Sequence, residues 1–396
     1  MPRGSNMKGT ARLGFIDTMR GVGALVVLVN HYFAAYGEPP SIPAGIWSGP
    51  AGIIQDGQAA VGMFFLFSGF VLARKYVVGG RLSRLSGREW LGFWLARLCR
   101  LIVPFAVALW ISALLQATVP PAGLTSPAAT PWVISYWHAR SIGELAEQSL
   151  LVRYGYDHLL PQDWTLVLEV YLSLALPLLI VLAAWGTTVL ALTVVAAIVV
   201  FHIHGALLPF AAGIVVAGLS NRIGVRVAAM RRWQWAALVA LGVCVYHCRE
   251  LLPARVLLKL REGIVWHLSE AGSLLTLLAL IGAPRAQEWL ARGPLVMLGQ
   301  VSYSFYLWHF TALQCVTPLV LLALNRLGMV AGTAWWIGLL ATAAVNLLVA
   351  AVSFQLVERP CIAAARNLNR VFSGGVSRTQ AGVVVSAGAP PVIGPQ

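Results

Sequence analysis

Runs of about 20 mainly apolar residues recur along the whole chain and constrain its fold more than any other feature. A helix needs about 20 such residues to cross a hydrocarbon layer about 30 Å thick. The runs lie near residues 14–36, 58–77, 93–117, 163–184, 187–202, 205–220, 234–248, 268–283, 295–324 and 333–357. The sequence therefore predicts an all-α fold, a polytopic integral membrane bundle of about ten transmembrane helices.

The composition excludes a water-soluble enzyme. Of the 396 residues, 59% are apolar and 11% are charged, which leaves too few charges to cover a soluble globule. The net charge of +14 does not indicate a nucleic-acid partner, because the basic residues form short clusters between the apolar runs, as in a membrane protein. The five cysteines lack the spacing of a disulfide framework or a zinc site, and no metal is expected.

Arginine and lysine are distributed as expected for a chain with both termini in the cytoplasm. Under that orientation most of the 28 basic residues fall in inner segments, as the positive-inside rule requires. The outer segment at 118–161 is long for a connector, and we interpret it as a lid or an acceptor-binding surface. Residues 1–360 are predicted to form the transmembrane domain and residues 361–396 a flexible cytoplasmic tail.

Ionisable residues within apolar runs indicate sites, because a charge is costly inside a bilayer. Arg20 and His31 are eleven residues apart in the first run. On a helix this separates them by about 16 Å and three turns, so both residues face one groove at different depths. Asp17 precedes Arg20 by three residues and can neutralise its charge locally.

Glu169 in the fourth run is predicted to lie at the depth of His31. A carboxylate beside an imidazole holds the tautomer of the ring and stabilises the imidazolium, as a general base requires. We therefore expect Glu169 to orient His31, with Glu270 in the eighth run as a second candidate. The alternative for each of these residues is a structural hydrogen bond between helices.

Four basic residues cluster at the predicted inner ends of the second and third runs: Arg74, Lys75, Arg97 and Arg100. Arg97 and Arg100 are three residues apart and share a helix face. Guanidinium groups bind phosphate in bidentate fashion, so this cluster suits the phosphates of a nucleotide-like cofactor. Membrane topology and anionic lipid headgroups are the other explanation for such residues.

Six stretches in order along the chain carry a family resemblance. They are F-I-D-T-M-R-G-V-G-A-L-V-V-L-V-N-H at 15–31, G-M-F-F-L-F-S-G-F-V-L at 62–72, R-L-C-R-L-I-V-P at 97–104, W-T-L-V-L-E-V-Y at 164–171, S-Y-S-F-Y-L-W-H at 302–309 and V-E-R-P at 357–360. Together they resemble the membrane acyltransferase-3 family of acyl-CoA-dependent carbohydrate O-acyltransferases. The first stretch looks like the family's signature of an arginine, ten residues and a histidine.

The resemblance implies a ten-helix enzyme of the bacterial inner (plasma) membrane. Such an enzyme takes an acyl group, most commonly acetyl, from cytoplasmic acyl-CoA and passes it to a hydroxyl at the outer face. By matching position, His31 would be the essential histidine and Arg20 its partner. The family often has a second acidic residue after the glutamate of the fourth stretch, whereas Val170 follows Glu169 here, which weakens any mechanism with two carboxylates.

We therefore predict an O-acetyltransferase that uses acetyl-CoA or another acyl-CoA as donor. The expected catalytic residues are His31, Arg20 and Glu169. The expected donor-binding residues are Arg74, Lys75, Arg97 and Arg100, and the expected substrate-binding residues are Trp164, Tyr171, Tyr303 and His309. The expected partners are acyl-CoA, a carbohydrate or glycolipid acceptor and membrane lipids, with no nucleic acid.

Two alternatives remain open at this point. Intramembrane charges in a multi-span protein also mark transport pathways, so a transporter or flippase of a glycan or a lipid-linked sugar is the competing function. Within the enzyme hypothesis, direct attack of the acceptor hydroxyl on the thioester competes with a covalent acyl-histidine.

Overall fold

The computed structural model describes residues 14–372 apart from 79–80, 83–85, 120–127, 139, 154, 156–157, 253–255 and 257–261. The predicted all-α fold is confirmed, since nearly all regular structure in these residues is helical. Among them, the helices long and apolar enough to cross a membrane number seven: Gly57–Arg74, Gly87–Thr118, Asp163–Trp185, Leu207–Ala228, Gly263–Ile281, Ser302–Arg326 and Ala331–Phe372. The total of ten spans stays a prediction.

The helices follow one another through short connections. They are α1 (Gly14–Tyr36), α2 (Gly57–Arg74), α3 (Gly87–Thr118), α4 (Pro131–Ser135), α5 (Ile142–Ser149), α6 (Asp163–Trp185), α7 (Thr187–Val200), α8 (Leu207–Ala228), α9 (Arg232–Tyr246), α10 (Cys248–Leu251), α11 (Glu262–Ile281), α12 (Pro284–Leu290), α13 (Pro294–Gln300), α14 (Ser302–Cys315), α15 (Thr317–Arg326), α16 (Ala331–Ser353) and α17 (Arg359–Phe372). A small antiparallel hairpin pairs Val77–Val78 with Arg81–Leu82.

Helix α14 lies at the centre of the bundle, and every one of its residues is buried. It packs against α1, α3 and α16. The interior of a protein in lipid offers no water to its polar groups, so each needs a partner from the protein. The Tyr303 hydroxyl accordingly donates to the Leu101 carbonyl at 2.7 Å, and the Thr311 hydroxyl bonds that of Ser112 at 2.6 Å.

The short helix α4 is attached to the end of α1. The Thr130 amide donates to the Ala35 carbonyl at 2.9 Å, and the Thr130 hydroxyl donates to the Ala34 carbonyl at 2.7 Å. Pro131 then starts the helix, a position where its missing N–H costs nothing. This part of the outer segment is therefore fixed over α1. We call the end of the bundle at Tyr36 the outer end, after the predicted orientation.

The end of the chain differs from the predicted tail. Residues 361–372 belong to α17, which packs against α3, whereas a flexible segment was expected from 361. Helix α17 is strongly amphipathic, and its arginine and asparagine residues share one face, a pattern of period 3.6 that stabilises a helix on an apolar surface. The rest of the predicted tail lies outside the described residues.

A π-helical turn at Phe354–Glu358 joins α16 to α17. Such turns insert one extra residue into an α-helix and occur frequently at functional sites. Here the turn ends at Glu358, whose side chain is buried and accepts a hydrogen bond from the Ser304 hydroxyl at 2.7 Å. The turn thus brings a carboxylate from the last long helix to the central helix α14.

Candidate active site

His31 lies in the outer half of α1 and is half-buried. Its Nδ1 atom is 2.8 Å from Nε2 of His309 on α14. The two imidazole rings are stacked, with centroids 5.0 Å apart and an interplanar angle of 16°. The partner of the sequence-predicted histidine is therefore a second histidine, 278 positions further along the chain.

The hydrogen bonds of His309 determine which nitrogen of His31 carries a proton. His309 Nδ1 is 2.6 Å from the Tyr306 carbonyl, and a carbonyl only accepts, so Nδ1 is the donor. In the neutral ring Nε2 of His309 is then an acceptor, which requires His31 to donate through Nδ1. This leaves a lone pair on Nε2 of His31, the form of imidazole that accepts a proton.

Glu169 does not take the predicted position beside His31. Its carboxylate forms an ion pair with Arg97, Nη2 to Oε1 at 2.6 Å, and accepts from the Ser68 hydroxyl at 3.3 Å. Arg97 Nε also donates to Ser173 at 3.1 Å. In a low-dielectric interior a guanidinium binds a carboxylate more strongly than a neutral imidazole does. Glu169 therefore balances the charge of Arg97, and the hydrogen-bond partner of His31 is His309.

Three arginines and two carboxylates form a charge cluster, which comprises Arg20, Arg97, Arg100, Glu169 and Glu358. Glu169 interacts electrostatically with all three arginines, and Glu358 with Arg100 and Arg20. Of these three arginines, Arg97 is the one for which the described residues provide an ion pair within 4 Å. Arg20 and Arg100 are half-buried and remain available to an anionic ligand.

A cavity extends from the charge cluster toward His309. Its polar lining comprises Arg20, Ser68, Thr165, Glu169, Ser302, Tyr303 and Tyr306. The Tyr306 hydroxyl bonds the Thr165 hydroxyl at 2.7 Å, and the Tyr306 and His309 rings lie with centroids 5.3 Å apart. The cavity therefore lies between Arg20 and the tyrosine whose ring contacts His309.

Aromatic rings surround His31 on the outer side. The Trp132 ring of α4 is tilted by 40° over His31 with centroids 5.5 Å apart. Phe310 contacts Trp132 at 5.6 Å and Tyr136 at 5.3 Å. The attachment of α4 to α1 holds Trp132 in this place, beside the imidazole ring of His31.

The other predicted residues lie in separate places. Arg74 and Lys75 are exposed at the end of α2, outside the charge cluster. Tyr171 is exposed, and its hydroxyl donates to the Val152 carbonyl. Tyr303 lines the cavity, but its hydroxyl is held by Leu101.

Two further predicted residues bond groups within the protein. His309 is fully buried, and its two ring nitrogens bond His31 and the Tyr306 carbonyl. Glu270 bonds Trp266 and His267 on its own helix and is not a partner of His31. Within the described residues, no group of three or more His, Cys, Asp or Glu side chains is arranged to hold a metal ion.

Sequence reasoning missed three residues that complete the site. Glu358 lies within the V-E-R-P stretch. A charged residue in that stretch was the signal that could have identified it. Tyr306 lies one turn before His309 in a buried helix. It contributes its backbone carbonyl, a group that every residue type has, so its residue type is no signal. Trp132 lies in the outer segment, and nothing in the sequence relates it to α1.

Comparison with known families agrees with this geometry. The family model for acyltransferase 3, described as an acyltransferase domain, matches residues 13–354. No curated protein and no solved structure matched the chain. The chain belongs to the acyltransferase-3 family, and with its apolar spans it is a membrane acyltransferase.

Arg97→Ala is expected to destabilise the fold. It leaves the Glu169 carboxylate without its guanidinium, and breaking a buried ion pair from one side costs about 3 kcal/mol or more. The free energy of unfolding, measured by SDS titration in mixed micelles, should fall by that order. Arg97→Ala with Glu169→Ala should lose less than the sum of the two single changes, because no unpaired charge remains.

The exposed Arg222 provides the matched control, and Arg222→Ala should leave the unfolding free energy within about 0.5 kcal/mol of the original value. Equal stability of the Arg97→Ala and Arg222→Ala variants would contradict the structural role of the pair.

Proposed function

We propose that this membrane acyltransferase transfers an acyl group, acetyl in the first instance, from acyl-CoA to a hydroxyl of a carbohydrate at the outer end of the bundle. The hydrogen-bond chain from the Tyr306 carbonyl through His309 to His31 carries this proposal. It leaves a lone pair on Nε2 of His31, whose ring contacts that of Trp132, and Tyr306 at the other end of this chain lines a cavity together with Arg20. A bacterial inner membrane location with cytoplasmic termini is part of the proposal.

The charge cluster is the proposed site for the phosphates of the donor. Arg20 and Arg100 have no ion-pair partner within 4 Å among the described residues, and a guanidinium binds phosphate through two parallel hydrogen bonds. Arg97 is already paired with Glu169, so we assign it a structural role and not a role in binding the donor. The exposed Arg74 and Lys75 attract the anionic donor toward the entrance.

The length of α1 fits a donor that reaches His31 from the inner side. Arg20 and His31 both belong to this one helix, which places them about 16 Å apart along its axis. An extended pantetheine arm has a comparable length, so its thioester can approach His31 while the phosphates stay near Arg20. The cavity between Arg20 and Tyr306 lies along the proposed route of this arm.

The proposed chemical step is a direct transfer. Nε2 of His31 takes the proton of the acceptor hydroxyl as its oxygen forms a bond to the thioester carbonyl carbon. Collapse of the tetrahedral intermediate breaks the carbon–sulfur bond and expels the CoA thiolate. The thiolate then takes the proton from the imidazolium, which yields the ester and free CoA. His309 acts as a positioning residue that keeps the His31 ring in the reactive tautomer.

The ring of Trp132 is the proposed platform for the acceptor sugar. An indole face packs well against the apolar face of a pyranose, and Trp132 lies within 5.5 Å of the His31 ring centroid. A hydroxyl on a sugar stacked there is within reach of His31. The fixed position of α4 then determines which hydroxyl is presented.

His31→Gln is expected to abolish turnover of acetyl-CoA in the presence of a cell extract that contains the acceptor, because glutamine cannot accept the proton of the acceptor hydroxyl. His309→Ala should lower kcat about 100-fold, the lower range for general base catalysis, and leave the KM for acetyl-CoA unchanged. His309→Gln retains an acceptor atom toward His31 and should recover part of kcat.

Release of the CoA thiol by purified protein in nanodiscs measures these rates. His138 is exposed in the outer segment, so His138→Gln should behave as the original protein. A His309→Ala variant with full kcat would remove the positioning role, and full turnover by a folded His31→Gln variant would remove the base.

Direct transfer predicts that no acyl group remains on the protein. Loading with radiolabelled acetyl-CoA in the absence of acceptor, followed by acid quench and gel separation, should leave the protein band unlabelled. Label that is retained by the original protein and lost in His31→Gln would instead demonstrate an acyl-histidine.

Arg20→Gln and Arg100→Gln are each expected to weaken CoA binding about tenfold. Loss of a charge-assisted contact costs at least about 1.4 kcal/mol, which corresponds to that factor. Titration calorimetry with CoA in nanodiscs measures the change, which should shrink at high salt because phosphate contacts are screened. Arg226 is exposed on α8, so Arg226→Gln is the control, and an equal effect there would contradict a specific phosphate site.

A further inference from the structure

A second aromatic cluster lies at the outer end of the bundle, away from His31. We call Trp164, His204, Trp266, His267 and Glu270 the outer aromatic cluster. The Trp164 and Trp266 rings have centroids 5.9 Å apart at 70°. His204 lies 5.8 Å from Trp164 and 6.1 Å from Trp266. Three helix ends therefore bring two indoles and an imidazole together.

Glu270 holds two rings of this cluster in place. It is buried, its Oε1 accepts from Trp266 Nε1 at 2.5 Å and its Oε2 accepts from His267 Nδ1 at 2.7 Å. Both carboxylate oxygens are thus used inside the protein. The carboxylate orients the Trp266 and His267 rings, and it is poorly placed to attract a free cation.

Two glycines provide the space that the cluster occupies. A Cβ atom at Gly62 would lie 2.8 Å from Cγ of Glu270, and one at Gly205 would lie 2.8 Å from Cε1 of His267. Any other residue at these positions would displace Glu270 or His267. The arrangement therefore depends on α2 and the α7–α8 connection as well as on α11.

Both histidines use Nδ1 within the protein. His204 Nδ1 accepts from the Ala206 amide at 3.1 Å, so its Nε2 carries the proton. His267 Nδ1 donates to Glu270, and the His267 side chain is 33% exposed. Burial and the neighbouring His267 lower the pKa of His204, which keeps this ring neutral at neutral pH.

We infer that the outer aromatic cluster is a subsite for a neutral sugar residue of the acceptor. An indole face stacks on the apolar face of a sugar ring, and sugar hydroxyls can bond the Nε2 atoms of the two histidines. An aromatic interfacial anchor would not need the Glu270 bridge that orients Trp266 and His267. This inference rests on the proposed carbohydrate acceptor and specifies that the acceptor is an oligosaccharide.

A series of side-chain contacts inside the protein separates His31 from the outer aromatic cluster. His31 contacts His309, His309 contacts Tyr306, and the Tyr306 hydroxyl bonds Thr165. Trp164 is the residue before Thr165. Trp132 and the outer aromatic cluster are thus different places in the protein, and the inference assigns them to separate sugar residues of one acceptor chain.

Saturation-transfer NMR on the full-length protein in nanodiscs tests the subsite, with maltotriose, cellotriose and N-acetylchitotriose as the probes. The original protein should transfer saturation to at least one trisaccharide. Trp266→Ala and Trp164→Ala should each weaken that binding about tenfold, and His204→Phe, which keeps the ring but loses the donor, should weaken it as well. Trp289→Ala is the control, since Trp289 is 69% exposed near the end of α12.

Two results would overturn the subsite: absence of transfer to all three trisaccharides, or equal binding by the original protein and by folded Trp164→Ala, Trp266→Ala and His204→Phe variants. Thiol release from acetyl-CoA by the original protein is measured in parallel. Sugar binding that depends on Trp266, without any acetyl-CoA turnover, would refute the proposed function and leave the subsite intact.

Discussion

The structure depends on the need to satisfy polar groups in an interior that contains no water. Helix α14 is buried on all sides, and it nevertheless carries serine, tyrosine, histidine, threonine and glutamine. Each hydrogen bond from these side chains to another helix fixes the rotation of α14 as well as stabilising it. The catalytic geometry follows from this constraint, since the carbonyl that orients His309 is part of the same helix.

The charged and neutral parts of the site are separated along the bundle. Arginines and carboxylates neutralise one another around Glu169, where three helices meet, and His31 makes its hydrogen bond with an uncharged ring. In a low-dielectric interior a charge next to the imidazole would bias its protonation strongly. The ion pairs therefore lie on one side of the candidate site and the histidine pair on the other, so an anionic donor and a neutral base, as proposed, would not compete for the same groups.

Much of the fold and part of the site could be predicted from the sequence. The apolar runs gave the helices, because length and hydropathy are local properties, and the eleven-residue spacing placed Arg20 and His31 on one face of α1. The partners of these residues were not predictable in the same way. His309 and His31 are 278 positions apart, and the choice of Glu169 between a histidine and an arginine depends on how α3 and α6 pack. Helix α17 has an amphipathic pattern and no continuous apolar run, so the hydropathy that marks the membrane spans does not mark it.

The π-helical turn at Phe354–Glu358 has a consequence for how this protein tolerates changes in chain length. One extra residue in a helix rotates everything after it by about 100°. Removing a single residue from that turn would restore a regular helix, carry Glu358 away from Ser304 and turn the apolar face of α17 off α3. The rotation of α17 relative to α16 therefore depends on the number of residues in this one irregular turn.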